Sequence, residues 1–184
     1  PELVWDWYTW RRALISNSLP NPGHHALVEM ESFFSGFTLI TQNVDGMHQL
    51  AGSRQVIELH GNIFRTKCSR DGRLISGIPD SSESPPRCPE CGSYLRPDVV
   101  WFGEGLPARV LENALQATNS CDLFLSIGTS TLVEPSASLP FIALDTGARV
   151  IEINPQTTPF SRSASYSIRG KAGDVLPKLT TQLV

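Results

Sequence analysis

The sequence predicts an α/β fold: a parallel sheet with helices on both faces, interrupted by a small Cys-bearing module. Three observations predict it. Short apolar runs at 37–40, 56–59, 121–127 and 149–153 each end on small or polar residues, as expected of buried strands whose carboxyl ends carry ligand contacts in open α/β sheets. Segments with apolar residues at helical spacing lie between these runs. Residues 61–97 differ from both, being turn-rich and polar and holding Cys68, Cys88 and Cys91.

Composition narrows the class of protein. A chain of 184 residues has room for one domain with a real core and a small inserted module. Its 40% hydrophobic and 18% charged content excludes global disorder. A net charge of −3 and a pI near 5.8 give no basic footprint, so direct nucleic-acid binding is not expected. No apolar run is long enough to span a bilayer, so no membrane partner is expected. The opening PELVWDWYTWRR has neither an initiator Met nor a signal-peptide pattern and already reads as a helix, so the sequence reads as truncated. Clustered cysteines point to a metal more than to disulfides and fit an intracellular protein of the mitochondrion, cytoplasm or nucleus.

Taken in order, residues 3–16 form an amphipathic helix ending before the breaker Ser18-Leu19-Pro20-Asn21-Pro22. Tyr8 and Arg11 stand three apart on it, so a phenol and a guanidinium can converge on one anion; the same spacing also suits a solvated face. Asn21 caps the next helix, Pro22 suits its first turn, and Ala26, Met30, Phe33 and Phe34 supply its apolar stripe. The strand at 37–40 delivers Thr41, Gln42, Asn43 and Asp45, and a short helix follows at 45–51, with His48 in a structural place. The run 56–59 delivers His60 and Gly61 in the same manner. An imidazole is the side chain whose charge changes near neutral pH, although an isolated His after a strand is more often structural.

Within 61–97, Cys88-Pro-Glu-Cys91 makes a metal knuckle, and Cys68-Ser-Arg-Asp71 makes an incomplete one with a carboxylate in place of a second thiolate. The set Cys68, Asp71, Cys88 and Cys91 is either a zinc site or the remnant of one whose cysteines simply pack. The loop 77–86 is expected to be mobile. Val100, Trp101 and Phe102 read as a buried strand that can also wall a substrate tunnel. A helix follows at 106–119, then the strand 121–127 with lone Cys121 in its apolar context. Gly128, Thr129 and Ser130 close that strand with small hydroxyl residues where a phosphate or ribose could approach. A further helix follows Glu134-Pro135. The strand 149–153 ends at Asn154, and Gly170 to Asp174 leads through Ala172 into a terminal helix with Leu176 and Leu179.

TQNVDGMHQLAG (41–52) followed by ELHG (58–61) resembles the central signature of the sirtuins, the NAD-dependent protein lysine deacylases. The tracts PNPGHHAL, RPDVVWFGE and GTS resemble further blocks of that family. The resemblance implies a Rossmann-like domain over 1–60 and 98–184 and a zinc-ribbon-like module over 61–97. It implies that His60 is the catalytic base and that Gln42, Asn43, Asp45, Gly128, Thr129, Ser130, Asn154 and Ala172 contact NAD. Val100, Trp101 and Phe102 would flank the acylated lysine peptide. WDWYTWRR resembles class III sirtuins, so Tyr8 and Arg11 would bind the distal carboxylate of succinyl-, malonyl- or glutaryl-lysine, with acetyl-lysine also a substrate. The acyl group would pass to ADP-ribose with release of nicotinamide.

The family's opening Gly-Ala-Gly turn and Pro-x-Phe-Arg loop have no counterpart in the sequence, so the first Rossmann strand and cofactor loop are expected to be missing. A catalytically inactive peptide- or partner-binding module is the alternative expectation.

Overall fold

The computed structural model describes residues 1–77 and 83–183. Residues 78–82 of the loop 77–86, on which the expectation of mobility falls, therefore lie outside the described residues. Helix α1 (Glu2–Ser16) and helix α2 (Pro22–Phe33) form where the spacing placed them. The Asn21 side chain accepts from Gly23 N at 2.9 Å and His24 N at 3.4 Å, while His24 Nδ1 accepts from Asn21 N at 3.1 Å. This reciprocal box is worth about 1 kcal/mol and sets where α2 begins.

Strand β1 (Leu39–Thr41), helix α3 (Met47–Ala51), strand β2 (Val56–Glu58) and strand β3 (Gly61–Cys68) come next. Then come β4 (Leu74–Ile75), β5 (Leu95–Val99), α4 (Ala108–Ser120) and β6 (Leu123–Ile127). A 3₁₀ turn (Ser136–Ser138) leads into α5 (Leu139–Asp145), β7 (Arg149–Ile153), β8 (Tyr166–Ile168) and α6 (Ala172–Thr180). Among the described residues the strands make three ladders: parallel β1-β2, antiparallel β4-β3-β5, and parallel β6-β7-β8. The architecture is the expected α/β type, Rossmann-like in its parallel strands and flanking helices. Several elements depart from expectation. Strands β3 and β4 lie in the tract read as turn-rich, the buried strand expected at 100–102 lies earlier, as β5, and β8 was not anticipated at all.

The chain divides into two compact units. The first comprises Pro1–Leu19, Asn43–Gly46 and His60–Leu106, and the second Pro20–Gln42, Met47–Leu59 and Pro107–Val184. The division does not follow 61–97, because α1 joins the Cys-bearing unit. Its Trp5 is buried with Cys68, Cys88 and Leu95. Arg12 Nε donates to the Ile63 carbonyl at 2.6 Å, and its guanidinium lies 5.3 Å from the Trp5 ring centre. In the second unit α2 and α6 cover the parallel strands, with Ala26, Leu27, Met30, Leu39, Ile153 and Leu176 as the buried centre. Gly23 permits a close approach there: a Cβ on it would meet the Ala172 main chain at 3.1 Å. A larger residue would push apart the amino ends of α2 and α6.

Candidate active site

In the second unit three strand ends converge on one polar network. Gln42, directly after β1, donates from Nε2 to Thr129 Oγ1 at 3.1 Å. Thr129 follows β6, and its carbonyl accepts from Asn154 Nδ2 at 2.8 Å, which ties the end of β6 to the end of β7. Gly128 has φ +63, and its N–H donates to the Ile153 carbonyl at 2.9 Å. A side chain at Gly128 would point into open space, so the turn beside Thr129 and Ser130 is open at the strand end. Ala172 opens α6. The structure thus links Gln42, Thr129 and Asn154 directly and sets Gly128 and Ser130 in the same turn.

The first unit carries His60, Asn43 and Asp45. Segment Asn43–Gly46 is held against β3 by the Ile63 N–H, which donates to the Val44 carbonyl at 2.8 Å. Gly61 explains how His60 is placed. Its φ is +80, and a Cβ there would lie 2.1 Å from the Asp98 carbonyl oxygen, a distance no side chain survives. Only glycine lets β3 approach β5 this closely, and the approach allows Val100 N to donate to the His60 carbonyl at 2.9 Å. His60 is half-buried at the head of β3. Asp98 is held in turn by Arg65 at 2.9 Å and Lys67 at 3.2 Å.

The segment after β5 is not the buried strand expected. Phe102 is 98% exposed. Trp101 is half-buried and fixed on several sides: Nε1 donates to Tyr8 Oη at 2.8 Å, its backbone N donates to Glu104 at 3.0 Å, and the Arg96 guanidinium sits 3.4 Å from its ring centre. Arg96 and Glu104 form a two-pronged pair at 2.6 and 3.0 Å, and those hydrogen bonds hold the Glu104 carboxyl below its usual range. Sequence reasoning missed both of these residues. Arg11 is exposed, with its guanidinium 6.0 Å from the Trp7 ring centre. Tyr8, on the same helix, also meets Trp7, with ring centres 4.8 Å apart.

The Sγ atoms of Cys68, Cys88 and Cys91 lie within 4.8 Å of one another, with Cys68 and Cys91 at 3.4 Å. A Zn–S bond of about 2.3 Å puts tetrahedral sulfurs about 3.8 Å apart, so the three thiols fit one ion. Hydrogen bonds from the Ser93 side chain and backbone bring the Cys91 thiol down to about 7, which favours the ligating thiolate. Asp71 is not part of that group. Its carboxylate accepts from Arg73 N at 3.0 Å, which with a hydrogen bond from Cys68 holds the carboxyl below its usual range, and it pairs with the Arg73 guanidinium at 3.1 Å. Arg73 also pairs with Glu90, so an ionic bridge joins the two knuckles through the Asp71 carboxylate that was expected as the fourth ligand. Cys121 is half-buried, with its Sγ donating to the Thr118 carbonyl at 3.2 Å, as suits a packing role.

The Sir2 family model matches residues 1–135. The chain belongs to the Sir2 family. It is 53% identical over 165 residues to NAD-dependent protein deacylase 1 of Caldanaerobacter subterraneus subsp. tengcongensis, covering 89% of this chain and 68% of that protein. It is 48% identical over 183 residues to the NAD-dependent protein deacylase of Aquifex aeolicus, covering 97% and 75%. Among solved structures, a Sir2 homologue in complex with NAD superposes with a TM-score of 0.92 at 44% identity, covering all of this chain and 72% of that one. A complex of Sir2 with a p53 peptide and NAD⁺ superposes at 0.83 with 32% identity, covering 91% and 72%. The polar network at Gln42, Thr129 and Asn154 stands at strand ends, where open α/β sheets take their ligands.

Proposed function

We propose that this Sir2-family chain removes acyl groups from protein lysines in an NAD-dependent reaction and favours acyl groups that end in a carboxylate. The observation that carries the deacylase reading is the Gly61-dependent pairing of His60 with Val100. It sets the one imidazole at a strand head beside the segment that the family resemblance assigns to acyl-lysine. NAD, when bound, supplies the nicotinamide–ribose bond at which the acyl group is accepted. The open turn at Gly128 fits such a ligand, and Gln42, Thr129, Ser130, Asn154 and Ala172 are the residues of the second unit that would hold it. The family resemblance assigns Asn43 and Asp45 to the same ligand. His60 takes up a ribose hydroxyl proton at its imidazole.

The acidic-acyl preference is supported by the polarity of Tyr8. An indole N–H can only donate, so the Tyr8 oxygen accepts from Trp101 and keeps its own O–H for another acceptor. A substrate carboxylate is such an acceptor, and Arg11 on the same helix supplies the cation. This charge-assisted pair is worth about 2–4 kcal/mol, or about 30-fold to 1000-fold in relative rate. Matched succinyl- and acetyl-lysine peptides should show a higher kcat/KM for succinyl, and Arg11→Met should lower the succinyl value while sparing acetyl. Equal loss on the two would make Arg11 a solvated helix residue.

Zinc would be held by Cys68, Cys88 and Cys91 and would act structurally, closing the two knuckles around the base of β3 and β5. Metal analysis of the purified protein should find a single zinc ion, lost in Cys88→Ser. Asp71→Cys should tighten its retention against a chelator, because a thiolate replaces a carboxylate committed to Arg73. Stoichiometric zinc that survives Cys88→Ser would place the metal elsewhere.

A further inference from the structure

Glu152 is a carboxylate inside a parallel strand, with a side chain only 1% exposed. Burial alone would raise its proton affinity, but hydrogen bonds from Ser161, Ser167, Thr158 and Arg169 outweigh that and bring it down to about 2. The Ser161 and Ser167 hydroxyls donate at 2.6 Å each, Thr158 Oγ1 donates as well, and Arg169 Nη1 lies at 2.9 Å. A buried ion pair is an expensive way to gain stability, since apolar residues of the same size often do as well. Its geometry accounts for keeping one here. The same Arg169 Nη1 that meets Glu152 also donates to the Gln156 carbonyl at 2.9 Å and reaches the Asn154 carbonyl at 3.4 Å. Gln156 N donates to Asn154 Oδ1 at 3.0 Å, which orients the carboxamide whose Nδ2 grips Thr129. Gly170 N, next to Arg169, also turns back to the Asn154 carbonyl at 3.4 Å, and Ala172 lies two residues further on.

We infer that Glu152 and Arg169 are positioning residues for the dinucleotide, fixing the turn that presents Asn154 and the turn that leads to Ala172 as two sides of one cofactor subsite. The carboxylate holds the guanidinium, the guanidinium holds two main-chain carbonyls, and Asn154 passes the constraint through Thr129 to Gln42. The Asn154 carboxamide still has a second N–H and a second lone pair for a ligand. The inference rests on the proposed assignment of Asn154 to NAD.

The test compares the full-length protein with its Arg169→Ala, Arg169→Lys, Glu152→Gln and Asn154→Ala variants. KM for NAD, KM for an acyl-lysine peptide, and Tm are measured for each. Arg169→Ala and Glu152→Gln should raise KM for NAD about tenfold, or about 1.4 kcal/mol. KM for peptide should stay within about twofold, and Arg169→Lys should recover part of the loss. Arg169 is partly exposed, at 39%, so its truncation leaves the core filled. If Asn154→Ala raises KM for NAD and the Arg169 and Glu152 variants do not, the inference fails while the cofactor assignment stands. If the two KM values rise together with a fall in Tm, the pair is structural only and the inference fails. If Asn154→Ala leaves KM for NAD unchanged, the assignment fails and takes the inference with it.

Discussion

Replacing His60 by Ala is expected to lower kcat for deacylation by about 10²–10⁴, the range a positioned general base contributes. The fold should survive, because the backbone hydrogen bond from Val100 N to the His60 carbonyl is kept in the variant. The loss should fall on kcat more than on KM for peptide or NAD, since the imidazole acts on a proton and not on ground-state binding. Circular dichroism and Tm close to wild type, together with the lost turnover, would meet the expectation. Turnover within a few-fold of wild type would remove His60 from the chemistry and leave it a strand-end histidine.

The second large effect is expected at Gly61. Gly61→Ala puts a Cβ where the Asp98 carbonyl oxygen stands, at 2.1 Å, and asks an L residue to hold φ +80. The backbone term alone costs about 1–2 kcal/mol. The clash cannot be relieved by a flexible side chain, because main chain is in the way, so β3 and β5 must separate at His60 and Val100. Activity should fall at least about a hundredfold, equivalent to roughly 2.7 kcal/mol, with a Tm several degrees lower. Gly105→Ala, where a Cβ meets nothing, is the control and should change neither. Near-normal activity in Gly61→Ala would mean that the close approach of β3 and β5 does not place the base.

The contrast between these glycines shows what the sequence could reveal. Gly61 was visible as part of a strand-end dipeptide, but the need for glycine there comes from Asp98, which lies far along the chain and is brought close only by folding. The capped start of α2, the strands at Leu123–Ile127 and Arg149–Ile153, and the terminal helix were all legible, because each is specified by local spacing and local breakers. Strand β3 was hidden in a turn-rich tract, since its buried positions include Thr66 and Cys68 beside Ile63. Strand β5 contains Arg96 and Pro97, residues that argue against a strand when met in sequence. Tyr166–Ile168 is too short and too exposed to leave a periodic signal.

The polar sites divide in the same way. Gln42, Thr129 and Asn154 stand directly behind apolar runs and could be singled out for that reason. Glu152 could not, because a charged residue inside an apolar strand carries no sign that hydroxyls and an arginine from other segments will receive it. Asp71 shows the opposite error. Its spacing from Cys68 suggested a metal ligand, but Arg73 and Glu90 claim that corner of the module through ion pairs that no spacing rule anticipates. Exposed bridges of this kind contribute little, so closing the module still falls mainly to the packed cysteines, with Trp5 and Leu95, and to whatever the thiols bind.

The central claim is that acyl removal from lysine is coupled to NAD. The direct measurement follows a succinyl-lysine peptide and NAD together in the presence of the full-length protein, counting free lysine formed and nicotinamide released. The account predicts equal amounts of the two products, none of either when NAD or peptide is withheld, and loss of both in His60→Ala. Free lysine formed without NAD, or nicotinamide released without acyl loss, would contradict it.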